Sequence, residues 1–182
     1  MTEEIRKDPI AAELDKPLHR QNVKSRKGSG DITLSYIEAW HAIAEANRIF
    51  GWNCWNRELV SIKPVQELQA KNSRGKEVWR VAYIATVRIT TNADEIVIRE
   101  GTGFGQGIDP DLGQAHESAV KEAESDAMKR ALMTFGNPFG LALYDRYQRN
   151  VSDGTGGEAP AKPAVDAGAE FAKEVLALGL ND

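Results

Sequence analysis

Two adjacent cations, Lys129 and Arg130, lie near the end of the helical stretch SDAMKRALMTFGNPFG (125–140). Paired positive side chains can hold a phosphate backbone when a second basic wall faces them across a groove. The spacing alone favours a simpler interpretation. Asp126 stands four residues before Arg130 and can form an i,i+4 ion pair with it, worth about 0.3–0.5 kcal/mol, which leaves Lys129 solvated.

The second basic wall is predicted from the strand VWRVAYIATVRIT (78–90), in which apolar residues alternate with mixed ones. Arg80 and Arg88 fall on the mixed, outward face. If the next strand pairs through a turn at 92–93, Arg99 joins them on that face, although a slip of one residue would send it to the other side. The candidate phosphate-binding residues are therefore Lys129, Arg130, Arg88, Arg80 and Arg99.

The composition limits the classes of function. The 182 residues carry a net charge of -4, so a nucleic-acid partner has to be held by a local basic patch rather than by the whole chain. No apolar run of membrane-spanning length and no secretory signal occur, so we expect no membrane partner and a cytoplasmic location. The scattered histidines and the single cysteine give no metal-ligand spacing, and no nucleophile or His–carboxylate pair is visible. The sequence therefore predicts no cofactor and no catalytic site.

The chain divides into three parts by composition. Residues 1–31 are polar and lack periodicity, and RQNVKSRKGSG (20–30) holds four cations without an acid, which predicts a flexible, partly basic arm. Residues 32–150 are predicted to form the folded domain. Residues 151–182 begin as a flexible linker of Gly, Ala, Pro and acids and end in FAKEVLALGL (171–180), a short amphipathic tail.

The folded domain is predicted to begin with a helix over 35–50. Apolar residues recur there at helical spacing, as in an amphipathic helix. Ser35 and Glu38 have the spacing of a capping box, and Gly51 is placed to end the helix.

The rest of the domain is predicted to contain an antiparallel sheet and a second helix. A strand over 55–66 ends near Pro64, and the polar segment AKNSRGKE connects it by a hairpin turn to the strand over 78–90. After the third strand, a long helix runs over about 112–135, where Gly136 in a left-handed conformation ends it. Helix, three-stranded antiparallel sheet and long helix make an α+β domain.

Four glycines alternate with other residues in GTGFGQG (101–107). Their spacing fits neither a dinucleotide-binding fingerprint nor a P-loop. Alternate glycines at a strand end indicate instead that another backbone approaches closely.

The four tryptophans fall on the apolar faces of the predicted elements. We therefore expect most of them in the core or in a subunit interface rather than stacked on bases. They are Trp40, Trp52, Trp55 and Trp79.

Two longer stretches resemble the annealing domain of the Rad fifty-two family. They are YIEAWHAIAEANRIFGWNCW (36–55) and KEAESDAMKRALMTFGNPFGLALYD (121–145). Between them, Arg88 matches an arginine of the family's middle strand, and GFG (103–105) matches its Gly-aromatic-Gly. The resemblance extends over about 35–148.

This resemblance implies a protein that binds single-stranded DNA and anneals complementary strands in homologous recombination and double-strand break repair. It also implies assembly into an oligomeric ring, and a groove in which Lys129 and Arg130 contact phosphates without nucleotide hydrolysis or a metal. Eukaryotic members carry a long recombinase-binding tail. The short chain therefore indicates a bacterial or phage-type member, whose recombinase or single-strand binding partner would bind residues 151–182.

The sequence departs from the eukaryotic members at positions that bear on DNA binding. His41 and Met133 stand where those proteins have basic residues. The loop IDPDLGQ holds Asp109 and Asp111 where those proteins have lysine. The resemblance therefore leaves open a second, duplex-DNA surface in that loop.

Two other classes of function are compatible with the sequence. A helix, a three-stranded sheet and a helix also suit a module that binds double-stranded RNA or DNA by shape and does not anneal strands. A preference for duplexes over single strands would favour that module. An enzyme is the second alternative, and turnover that depends on one carboxylate or histidine would identify it.

Overall fold

The fold is built on a three-stranded antiparallel sheet covered on one face by a long helix, which confirms the predicted α+β class. The computed structural model describes residues 8–154 except 29, 31, 93 and 94. Within them, the helices are α1 (Pro9–Leu14), α2 (Ala39–Phe50) and α3 (Leu112–Met133). The strands are β1 (Leu18–His19), β2 (Val23–Lys27), β3 (Thr33–Ile37), β4 (Trp55–Lys71), β5 (Glu77–Thr91), β6 (Val97–Asp109) and β7 (Val151–Ser152). None of the described helices has the length and apolar character needed to cross a membrane.

The sheet has the strand order β4–β5–β6, so β5 is hydrogen-bonded on both sides. Alternate side chains of β5 point to one face, as predicted, and are buried there against α3. They are Val81, Ala85, Val87 and Ile89. The main core lies between this face and α3, and it also includes the buried side of α2 and Phe139.

Strand β4 continues to Lys71, beyond the end that was predicted near Pro64. It is an edge strand, and a proline is tolerated at an edge because its missing N–H can face solvent. The register shifts between Pro64 and Gln66, where a β-bulge takes up an extra residue and lets the pairing with β5 continue.

The predicted pairing of β5 with the third strand was wrong. Five residues, 92–96, separate the end of β5 from the start of β6, rather than a two-residue turn. Arg88 therefore faces Glu100, and Arg99 pairs with Ile89. Because Ile89 points to the helix-covered face, Arg99 lies on that side and does not join Arg80 and Arg88.

The alternating glycines of β6 allow α3 to lie directly on the strand. This is the close backbone approach that their spacing predicted. A methyl group at Gly103 would overlap the backbone nitrogen of Ala127 and lie 2.6 Å from the carbonyl oxygen of Ala123. Gly101, Gly105 and Gly107 meet the α3 backbone in the same way. On the helix, an alanine at every fourth position faces the strand, from Ala115 to Ala131.

Helix α2 begins four residues later than predicted. Ser35 does not cap it, because residues 33–37 form β3 and pair with β2. Glu38 is the N-cap residue, without a side-chain hydrogen bond, and the helix starts at Ala39. Gly51, with φ of 90°, ends it as predicted.

The described part of the N-terminal segment contains regular secondary structure, where a flexible arm over 1–31 was expected. It forms α1, β1 and β2, and β2 pairs with β3 along five residues. The short strand β1 pairs in parallel with β7, so Leu18 lies beside Val151. The predicted linker and tail lie outside the described residues from position 155 onward, and their role stays a prediction.

Gly136 follows the end of α3, but its backbone is not left-handed as predicted. Its φ of 164° is an extended conformation that other residues also adopt. A side chain there would instead collide with the carbonyl group of Leu14 in α1. The glycine therefore permits the close contact between α1 and the chain after α3.

The four tryptophans divide into two pairs. Trp55 and Trp79 are partly buried against the core, and the Trp55 Nε1–H donates to Asn47 Oδ1 at 2.8 Å. Trp40 and Trp52 are 63% and 80% exposed. These two therefore lie outside the core, and a subunit interface stays the predicted place for them.

Candidate functional site

A groove of about 480 Å³ runs between β3 and the last turns of α3. The two 3-10 turns after α3, Asn137–Phe139 and Leu141–Leu143, form its remaining wall. The side chains with polar, charged or aromatic groups that line it include Arg26, Ser35, Tyr36, Asp126, Lys129, Arg130, Tyr144 and Gln148. Two of the five predicted phosphate-binding residues, Lys129 and Arg130, thus lie side by side in one concave surface.

Tyr36 lies between two of the cations in the groove. The Lys129 Nζ is 5.8 Å from the centre of its ring, and the Arg26 Cζ is 5.9 Å from it. Both distances are within the range of a cation–π contact. Among the residues that the structure describes, neither Lys129 nor Arg26 forms an ion pair with a carboxylate. Their charges are therefore available to an anion.

Arg26 was missed as a site residue by the sequence reasoning. It lies in the basic run at 20–30, for which the sequence predicts a flexible arm. In the structure, the pairing of β2 with β3 brings it to Tyr36. The sequence signal was weak: GSGD (28–31) has turn-forming residues before ITLSYI (32–37), but VKSRK (23–27) on its other side contains a single apolar residue.

Arg130 forms the ion pair that the spacing predicts. Its Nε is 3.0 Å from the Oδ2 of Asp126, one helical turn earlier. This hydrogen bond and the negative charge of Asp126 raise the pKa of the Arg130 guanidinium above its usual value. The guanidinium is still exposed to solvent at the groove. It can therefore exchange its carboxylate partner for a phosphate.

Arg88 and Arg80 lie on the opposite, outward face of the sheet and do not line the groove. Arg88 is held between two carboxylates of the neighbouring strands, with Nη2 2.7 Å from Glu100 Oε1 and Nη1 3.2 Å from Glu58 Oε2. The hydrogen bond to Glu100 is the main cause of a raised Arg88 pKa. Arg80 is exposed between Leu68 and Ile108 on the flanking strands.

Arg99 lies beside the chain that follows α3. Its Cζ is 5.7 Å from the ring centre of Phe135, and its Nη1–H donates to the carbonyl oxygen of Ile98 at 3.1 Å. It does not line the groove. The structure therefore separates the five predicted residues into Lys129 and Arg130 in the groove and three arginines elsewhere.

His41 adds no charge to the site. It is buried in α2 near Pro138, and its Nε2 has no partner among the described residues. Burial lowers the pKa of His41, so the imidazole is neutral at pH 7.

A His–carboxylate pair that the sequence did not reveal lies near the other end of α3. His116 Nε2 is 3.1 Å from Glu67 Oε2, and its Nδ1 is 3.0 Å from the Tyr83 hydroxyl oxygen. These contacts tie α3 to β4 and β5. Over the described ranges, no group of three His, Cys, Asp or Glu side chains is arranged to hold a metal ion.

Comparison with known proteins identifies relatives of this chain. A family model described as Rad52/22 family double-strand break repair protein matches residues 6–159. The chain is 38% identical over 141 residues to the DNA repair and recombination protein RAD52 of Eremothecium gossypii, which covers 76% of this chain and 31% of that protein. It is 36% identical over 140 residues to the DNA repair and recombination protein rad22 of Schizosaccharomyces pombe, with 76% and 29% covered.

A third relative, the DNA repair and recombination protein RAD52 of Saccharomyces cerevisiae, is 37% identical over 143 residues, with 76% of this chain and 28% of that protein covered. The chain thus spans less than a third of the length of these three curated relatives. The similarity includes the whole groove, since its lining residues run from Arg26 to Gln148 and lie inside the matched range.

Proposed function

Because this chain belongs to the Rad52/22 family of double-strand break repair proteins, we propose that it binds single-stranded DNA in the groove and anneals complementary strands. One observation carries the proposal. Three cations on two separate elements, Arg26 on β2 and Lys129 and Arg130 on α3, converge on one groove with an aromatic ring between them. Convergent cations beside aromatic rings are the usual means of holding a single strand.

The groove suits the backbone of a single strand better than its bases. The cations would neutralise successive phosphates, while Tyr36 and the exposed Tyr144 offer ring faces to the sugar or to one base. Most base edges would remain accessible to a second strand. Duplex formation then supplies the driving force, on average about 1.4 kcal/mol per stacked step. Annealing by this route requires neither ATP nor a catalytic side chain.

We also propose that the protein works as a ring-shaped homo-oligomer. The outward face of the sheet supports this, because Ile84 and Phe104 are exposed on it as a cross-strand pair, and Ile98 is exposed farther along the same face. Trp40 and Trp52 are exposed as well. Apolar surface of this kind usually marks a contact with another protein surface. Light scattering after size exclusion should give a mass of several chains, and a monomer at micromolar concentration would contradict the ring.

The proposal is tested by mixing two complementary labelled oligonucleotides with the protein, without nucleotide or metal ion. We expect the protein to accelerate duplex formation and to bind a single strand more tightly than a duplex of equal length. Tighter binding of the duplex without acceleration would contradict the proposal. That result would favour the alternative of a module that recognises double-stranded nucleic acid by shape.

Substitution Arg88→Gln is expected to leave single-strand affinity almost unchanged, by less than about twofold. Arg88 is on the sheet face away from the groove, so salt screening weakens the effect of its charge there, and its two carboxylate partners occupy the guanidinium that would otherwise bind phosphate. Fluorescence anisotropy with a labelled oligonucleotide measures the effect. A loss as large as that from a groove cation would show that the DNA path includes the outward face.

A further inference from the structure

We propose that Asp126 limits the affinity of the groove for single-stranded DNA by competing with phosphate for Arg130. This inference rests on the proposed function. Asp126 is the one carboxylate among the described residues that line the groove. It therefore opposes phosphate both by its own charge and by occupying the side chain of Arg130.

The ion pair is well placed to compete. The Arg130 Nε is 3.0 Å from the Asp126 Oδ2, and the Arg130 side chain is 53% exposed, so a phosphate has access to the same guanidinium. A phosphate bound bidentately to Arg130 has to displace the carboxylate or accept its repulsion. Either event weakens binding relative to a groove with an unpaired arginine.

Asp126 is also held in position from its other side. The backbone N–H of Phe104, on the exposed edge of β6, points to the Asp126 Oδ2 at 3.4 Å. The carboxylate is therefore anchored to the sheet edge as well as to Arg130. When DNA approaches, this anchor keeps the negative charge in the groove instead of letting it rotate into solvent.

Glu122, one turn earlier on α3, provides a natural comparison. Its Oε2 accepts a hydrogen bond from the backbone N–H of Gln106 at 2.9 Å, so it contacts the same strand edge. Within the described part of the chain, Glu122 has no cationic partner and does not line the groove. Contact with the strand edge thus does not require an arginine, and the pairing of Asp126 with Arg130 is a separate feature.

Competition between Asp126 and phosphate for Arg130 has a measurable consequence for the salt dependence of binding. In Asp126→Asn the amide oxygen still accepts from Phe104, while Arg130 becomes free to bind phosphate. We expect single-strand affinity to rise about threefold to tenfold near 0.1 M salt. The slope of log K against log salt should steepen, by up to about 0.7 for one added phosphate contact. The gain should appear mainly as slower dissociation.

The experiment compares wild type, D126N and the matched control E122Q, each with the same labelled oligonucleotide over a salt series. Glu122→Gln also removes one negative charge from α3 and should change affinity by less than about twofold. In an Arg130→Ala background, D126N should lose more than half of its gain. Circular dichroism confirms folding, and if D126N unfolds, Asp126→Ser replaces it in the same comparison.

Several outcomes would overturn the inference. Affinity of D126N at or below wild type would do so, as would equal gains in D126N and E122Q, which would indicate only a general charge effect. A full gain without Arg130 would exclude competition for that side chain. These results leave the proposed function intact when the wild type binds single strands. Absence of wild-type binding would instead overturn the proposed function, and this inference with it.

Discussion

Gly103→Ala is expected to destabilise the domain by more than about 3 kcal/mol, or to prevent folding. The added methyl group meets backbone atoms of Ala123 and Ala127, which cannot rotate away as a side chain would. The strand and α3 would have to separate along their whole contact, so the core between them would be opened. Urea denaturation followed by circular dichroism measures the loss.

Gly75→Ala is the matched control for that substitution. Gly75 lies in the turn between β4 and β5 with φ of 75°, and an added methyl group meets nothing within 4 Å. Only the left-handed backbone conformation opposes alanine there, at roughly 1–2 kcal/mol. If the two substitutions have equal costs, the glycines of β6 do not act through close contact with α3.

The double substitution Lys129→Ala/Arg130→Ala is expected to weaken single-strand binding roughly 25-fold near 0.1 M salt. Each lost phosphate contact removes about 0.7 from the slope of log K against log salt for a single strand, so two contacts remove about 1.4. Strand annealing should fall in parallel, because annealing depends on the bound state. Anisotropy over a salt series and the annealing assay measure the two effects.

Lys121→Ala is the control for the loss of a cation from the same helix. Lys121 forms an ion pair with Glu117 two turns before Lys129 and does not line the groove. Its loss should leave the affinity and the salt slope close to those of the wild type. If K121A weakens binding as much as the double substitution does, the DNA contacts α3 broadly, and the groove assignment fails.

The central elements were predictable because burial leaves a clear periodic pattern. The alternation in β5 and the apolar stripe of α3 reflect a core that excludes water on one side of each. The pairing of β5 with β6 was not predictable in the same way. It depends on the length of the connection at 92–96, and Arg99 changed face as a result.

The N-terminal strand was missed for a related reason. In β2, only Val23 faces the core, and the other four residues are polar and exposed, so no apolar alternation marks the strand. Its pairing with β3 is a tertiary feature of the chain. Arg26 was consequently left out of the site, while Lys129 and Arg130 were identified from a motif that lies on one continuous helix.

Whether the charge of Arg88 is free to bind a phosphate was not predictable from its own strand. Arg88 has the spacing of an exposed cation, but its two carboxylate partners belong to β4 and β6. Sequence spacing shows which residues share a face, and it does not show whether an acid on the next strand lies opposite. For Arg88, the acids on the two neighbouring strands determine whether its charge is available to a phosphate.

The contact between β6 and α3 is periodic, with a glycine at every second strand position against an alanine at every fourth helix position. The contact can therefore be lengthened in equal steps. Two strand residues rise about 6.6–6.8 Å, and four helical residues rise about 6.0 Å, so each glycine step meets nearly one alanine step. Adding two residues to the strand and four to the helix would extend the contact by one further glycine–alanine pair with the same close backbone packing. Smooth repeats do not define an axial position, however. The hydrogen bonds from the strand edge to Asp126 and Glu122 therefore fix the position of α3 along β6. They fix the position of the groove cations on α3 at the same time.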